Sequence, residues 1–257
     1  MDALDLTLLE PFVLTVGLVS VRLLGLFLAL PLLAFRSFPL ALRVAPVLAL
    51  TLGMVPPDWV DSAQLAQQGG LAVATELGIG VVAGLSLRLA MLAVDYLAES
   101  LSMHAGFSFA QTVAPDSALP STVIGELLGM SVLASLFLAD VHLLFIERLA
   151  FSFVSVPFGS WPSAWDAAAV LELMATAFSI GLVMSCGSFA LYLFANFTLG
   201  MINRISPQLN LMSVGFSVTA PLALVVIALV TLQLPVLSEI IAAAALKFVD
   251  QGFLYAR

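Results

Sequence analysis

An all-α membrane fold, with polytopic helices folded back on one another as hairpins and no soluble domain, is predicted by three observations. Hydrophobic residues make up 62% of the 257 positions, charged residues make up only 9%, and the apolar residues fall into long runs separated by short breaks rich in Pro and Gly. A soluble domain is about 45–50% apolar and about 25% charged. Sixteen acidic and eight basic side chains are too few to solvate a body of this size. The composition therefore excludes a soluble enzyme, a secreted disulfide scaffold and a disordered chain. The net charge of −8, without clustered Lys and Arg, excludes a nucleic-acid partner. Cys186 is the only cysteine and has neither a second Cys nor a His at metal-ligand spacing, so neither a bridge, a metal nor a cofactor is expected. Asp2, Asp5 and Glu10 stand where a secretory leader is basic, so the first apolar segment is expected to stay in the protein.

About six long apolar segments follow in order, and all read as helices. They are 11–34, 44–55, 71–97, 123–145, 167–201 and 211–234, and an amphipathic tail over 235–257 completes a single helical domain, 1–257. A crossing needs about 20 predominantly apolar residues. The second run is short by that measure unless it begins near Pro39 and tolerates Arg43, whereas the fifth exceeds one crossing. The last two are the most strongly marked, because no charge occurs between Glu172 and Arg204 or between Arg204 and Glu239. Pro56-Pro57, Gly69-Gly70, Ala114-Pro115-Asp116, Pro157-Phe158-Gly159, Ser206-Pro207 and Pro235 punctuate the runs. The acidic N-terminus with Asp58 and Asp61 points to the outer side, and Arg36, Arg43 and Arg204 point to the cytoplasm. Six simple crossings would return Lys247 and Arg257 to the outside, so one segment, the short 44–55 run or a bent hairpin, is expected not to cross.

Seven charges interrupt the apolar helices: Arg22, Glu76, Arg88, Asp95, Glu126, Asp140 and Glu172. Each costs about 2.5–3.5 kcal/mol at a helix centre. They are expected to be buried against protein, water or each other. Glu76 and Arg88 are too far apart along one helix to pair, so their partners lie on other segments. Gly78, Gly80 and Gly84 do not have the spacing of a nucleotide loop and are read as sites of close helix approach. Ser185 and Ser188 have no His nearby in sequence, and Asp140 and His142 fall on different faces of a helix, so no catalytic residues are assigned.

Three stretches together resemble the FliR family of the flagellar protein export gate and its type III secretion counterpart. In the first, Arg22, Pro31, Arg36, Pro39 and Arg43 punctuate an apolar helix, a basic link and a second apolar run. In the second, Gly106-Phe107-Ser108-Phe109-Ala110 precedes Pro115 and Asp116, similar to the family's Gly-x-Ser-Phe-Ala segment. The third is Ser206-Pro207-Gln208-Leu209-Asn210 with Gly215-Phe216, similar to the family's Pro-Gln-x-Asn and Gly-Phe pairs. The resemblance implies a non-enzymatic subunit of a bacterial inner-membrane gate in the flagellar basal body. Such a subunit packs with FliP-like, FliQ-like and FlhB-like membrane subunits around a channel for unfolded exported proteins. It also implies that Pro207, Gln208, Asn210, Gly215 and Phe216 make a subunit contact, and that 105–121 is a loop inside the channel. The residues support a loop there by themselves, since Gly106, Pro115 and Pro120 oppose a continuous helix and Asp116 is the only charge. Phe107 and Phe109 point the same way in an extended strand, as a two-ring gasket. The rival reading is a small-solute or ion transporter, favoured by the intramembrane charges but lacking an inverted repeat.

Overall fold

The computed structural model describes residues 6–31, 40–54, 62–105, 123–205 and 211–254. Among the described residues there are seven α-helices and no strand: α1 (Leu6–Ala29), α2 (Leu40–Met54), α3 (Ser62–Ala105), α4 (Val123–Leu138), α5 (Val141–Ser155), α6 (Ala167–Ile205) and α7 (Leu211–Leu254). Gly70–Ala105, Ala167–Ile205 and Ser217–Phe253 are long and apolar enough to cross a membrane. The α4–α5 pair makes a fourth span if counted as one. α2 has 15 residues, with Pro46 inside it, and falls short of a crossing.

Two expectations about these helices are corrected. The run expected over 123–145 is broken at Asp140, which takes left-handed backbone angles (φ 53°, ψ 24°) and stands as N-cap of α5. Asp tolerates that conformation better than an apolar residue does, which suits Asp140 to the position where the chain turns. The last run does not end at Leu234. It continues through Pro235 as one helix to Leu254, taking up most of the stretch expected to form a tail. A proline inside a helix removes one backbone hydrogen bond, here the one to the Thr231 carbonyl, and the rest of the helix continues past it.

The chain divides into two compact units. The first takes residues 1–89, 140–173 and 242–257. Here α1 packs on α2 and lies against the first part of α3 at very short range. A Cβ on Gly25 would stand 2.5 Å from the Leu77 carbonyl oxygen; one on Gly80 would collide with the Arg22 carbonyl, and one on Gly84 would stand 2.8 Å from the Leu26 carbonyl. Glycines on both helices thus bring the backbones together, as small residues do where no hydrophobic force separates helix from lipid. Leu23, Leu26, Ile79, Leu87, Phe145 and Leu149 fill the core around this crossing.

The second unit takes residues 90–139 and 174–241. A Cβ on Gly181 of α6 would lie 2.9 Å from the Ala93 carbonyl oxygen of α3, another close crossing. Thr219 Oγ1 of α7 donates to the Ala105 carbonyl at 3.2 Å, closing the end of α3. Ser135 of α4 and Ser238 of α7 meet with their hydroxyls 3.0 Å apart. His104 stacks on Tyr192 with centroids 5.6 Å apart and lies 5.2 Å from the Phe189 ring. Other hydroxyls in apolar helices bond their own backbone, as Ser102 does to Ala98 and Ser86 to Ala83, and so need no water.

Gly80→Val is expected to push α1 from α3 and destabilise the chain by about 1–3 kcal/mol, the usual range for overpacking. Gly187→Ala, where an added Cβ meets nothing within 4 Å, should be neutral or mildly stabilising. Thermal unfolding of the two variants in detergent checks the contrast; equal midpoints would contradict it.

Candidate functional site

The chemistry of the first unit converges on one buried ion pair. Arg22 and Glu76 are both 0% exposed, and Arg22 Nε donates to Glu76 Oε2 at 2.5 Å. The glycine crossing makes this possible, because Glu76 lies one turn before Gly80 and Arg22 faces the same crossing from α1. Neither charge survives alone in such a place, since an unpaired ion in the interior loses several kcal/mol of hydration.

Two further elements complete the site. From α5, Ser152 Oγ accepts a hydrogen bond from Arg22 Nη1 at 2.9 Å and itself donates to the Leu149 carbonyl. From the connector after α5, the Gly159 N–H donates to Glu76 Oε1 at 2.9 Å. Gly159 has φ 77°, where a side chain is disfavoured, so glycine lets the backbone turn its N–H onto the carboxylate. The guanidinium carbon lies 4.6 Å from the Phe153 ring centroid and 5.6 Å from that of Phe158, and these two rings stack at 5.9 Å. Arg22 Nη2 has no hydrogen-bond partner among the described residues.

The same connector, Pro157 to Asp166, reaches two other helices. Trp161 lies over Gly78 of α3, where an added Cβ would meet its ring at 3.0 Å. Trp165 is buried, donates from Nε1 to the Phe248 carbonyl at 3.0 Å, and stacks on the Phe248 ring with planes 2° apart. Gly252, one turn after Phe248, leaves room for the indole. Asp166 then caps α6 by accepting from the Ala169 N–H at 2.8 Å. A segment without regular structure thereby ties α1, α3, α5 and the end of α7 together. Two outer ion pairs lie nearby: Arg148–Asp250 at 3.1 Å and Lys247–Glu172 at 3.1 Å. The second is more than half exposed on both sides and contributes about 0–1 kcal/mol at most.

Of the seven expected buried charges, only Arg22 and Glu76 lie in the interior of the chain, and they are each other's partner. Arg88, Asp95, Glu126, Asp140 and Glu172 are exposed on the isolated chain, and Glu172 pairs there with Lys247. Gly106, Phe107, Ser108, Phe109, Ala110, Pro115 and Asp116 lie outside the described residues, as do Pro207, Gln208 and Asn210. Gly215 lies in the second turn of α7 with open space where a Cβ would be, and the Phe216 side chain lies outside the description. Ser185 and Ser188 donate to the Gly181 and Ser185 carbonyls of their own helix.

Sequence reasoning missed Ser152, Phe153, Phe158, Gly159, Trp161 and Trp165. A signal was present, since two of the three tryptophans fall four residues apart next to Pro157-Phe158-Gly159, where a mere connector has no need of them.

Removing one partner of the pair, by Arg22→Met or Glu76→Leu, is expected to cost about 3–5 kcal/mol, because the other charge is stranded. The double variant should be less damaged than either single one. Thermal midpoints in detergent for the three variants check this, and additive losses would mean that the two side chains act independently.

The bacterial export proteins, family 1, match residues 13–245, a stretch that includes the ion pair, its connector and both close helix crossings. The flagellar biosynthetic protein FliR of Caulobacter vibrioides is 32% identical over 200 residues, covering 77% of this chain and 75% of that protein. FliR of Escherichia coli K12 is 28% identical over 200 residues, 77% of each chain. FliR of Pectobacterium carotovorum is 27% identical over 221 residues, 85% of each. The chain therefore belongs to the bacterial export proteins, family 1, the family of FliR.

Proposed function

We propose that the chain is a non-enzymatic subunit of a flagellar protein export gate in the bacterial inner membrane. In this reading it assembles with FliP-like, FliQ-like and FlhB-like subunits around a channel for unfolded exported proteins. The observation that carries the proposal is the length of uncovered apolar surface on α6. Large apolar side chains are exposed from Met174, through Phe178, Val183, Leu193 and Phe197, to Ile205. At 1.5 Å per residue that is a rise of about 47 Å. The hydrocarbon core is about 30 Å thick, and a tilt of 40°, the upper end of the usual range, lets it cover about 39 Å of helix. The rest needs protein. Only 17% of an 18-residue apolar stretch of this helix is buried within the chain itself, so in this reading that protein belongs to other subunits.

The transporter reading loses its motive. It rested on charges gathered inside the apolar helices, and the two that lie in the interior neutralise each other. The pair is held by Ser152, Gly159 and two phenyl rings, which commits its two charges to each other.

Co-expression with the neighbouring membrane subunits should convert the chain from a polydisperse species into a stable complex, read by native mass spectrometry after detergent extraction. A monodisperse monomer that ignores those subunits would refute the proposal. Within it, the 105–121 segment is assigned to the channel as a gasket. Replacing Phe107 and Phe109 by Gly should raise ion leakage through the assembled complex without preventing assembly; unchanged conductance in a fully assembled complex would return the loop to a scaffold role.

A further inference from the structure

We infer that α7 carries a seam for one apolar helix of a neighbouring subunit, and that Glu239 fixes the register of that helix by pairing with a Lys or Arg on it. The inference rests on the reading of the chain as an assembly subunit and adds the chemistry of the partner. The seam consists of Val218, Val225, Leu229, Leu232, Val236 and Glu239. Its steps of three, four and seven residues are those of the contact positions in a two-helix coiled coil. The five apolar members are 42%, 54%, 55%, 79% and 61% exposed, and Glu239 is exposed with them. On the opposite side of the same helix Ala223, Val226, Val230, Leu234, Leu237 and Ile241 are all buried. So α7 has two apolar faces, and this chain covers only one.

Lipid could cover an apolar seam as well as protein does; the carboxylate decides between them. Glu239 lies near the middle of the apolar span Ser217–Phe253 and makes no ion pair among the described residues. Facing lipid it would be costly, whereas opposite a cation it is compensated. A single polar residue in an otherwise apolar seam is also the device by which paired helices choose one register. Pro235, one turn earlier, strengthens the acceptor character of this spot. It lacks the N–H that a helix would place on the Thr231 carbonyl, and the Glu239 side chain leans back toward that turn. Two acceptors on one side suit an ammonium or guanidinium group. A second copy of this chain fits poorly, because a parallel pair would oppose two Glu239 carboxylates and the seam itself carries no cation.

The test uses the full chain co-expressed with the membrane subunits encoded beside it, purified through a tag on this chain, with co-purified subunits counted by native mass spectrometry. Glu239→Lys should lower recovery of the complex at least tenfold and Glu239→Gln several-fold, while Glu147→Lys on the exposed side of α5 leaves it unchanged. Exchanging one intramembrane Lys or Arg of a co-purifying subunit for Glu should restore assembly of Glu239→Lys. Should Glu239→Lys fail to give a helical, soluble chain in detergent, the Glu239→Gln result decides by itself. Wild-type recovery with both variants would overturn the inference and make the seam a lipid face. A homodimer disrupted by both variants would overturn it in favour of a second copy. Failure of the wild-type chain to form any complex would instead strike the assembly reading beneath it.

Discussion

Arg22 and Glu76 hold the first unit together because neither can be buried without the other. A charge removed from water is tolerated only when its Coulomb partner is close and its remaining donors or acceptors are met. Here those demands recruit the surroundings: Ser152 takes one guanidinium proton, the Gly159 N–H takes the second carboxylate oxygen, and two phenyl rings lie against the guanidinium. These groups come from α5 and from the connector after it, both far in sequence from Arg22 and Glu76. The pair therefore does in an apolar interior what hydrophobic packing alone does poorly, in that it selects one arrangement among many similar greasy ones. Leucines exchange neighbours at little cost; a buried carboxylate does not.

The glycines and the ion pair depend on each other. Without Gly25, Gly80 and Gly84 the α1 and α3 backbones would stand farther apart, and the 2.5 Å contact between Nε and Oε2 would be lost. Without the pair, two helices that are apolar on most sides would have no reason to choose this register over one shifted by a turn. The connector adds a third constraint by setting Trp161 on Gly78, two residues before Gly80 and so on another face of α3. A loop rich in aromatic residues is unusual at a surface. It is explicable once the loop is recognised as a packing element that reaches from α3 to Phe248 and Gly252 on α7.

Much of this was legible in the sequence, and the limits have physical causes. The all-helical class follows from composition, and the close approach at Gly80 and Gly84 follows from small residues in an apolar helix. The break at Asp140 was not foreseen, because apolar residues continue on both sides and hydropathy averages over a single polar position. The continuation of α7 past Pro235 was not foreseen either, since proline is read locally as a helix end, whereas a helix packed along its length loses only one backbone bond there. The partner of Glu76 was beyond reach for another reason. Arg22 is 54 residues away, and nothing local distinguishes it from Arg88 or Arg148.

The three long helices illustrate the deeper limit. α3, α6 and α7 read alike in sequence, as long apolar runs, yet 56% of an 18-residue apolar stretch of α3 is buried within the chain, against 17% for such a stretch of α6 and 28% for one of α7. A helix that is apolar on every side must be covered on every side, but hydropathy does not say by what. In α3 the cover is this protein, and the signature is glycine at the crossings with a charge answered from within. In α6 the outward face carries Phe, Leu and Val over more length than a bilayer can coat. The distinguishing feature is thus length combined with exposure, which becomes visible only after the chain has been folded. A sequence pattern of six similar apolar runs folds into helices that differ in how much of each the chain itself covers.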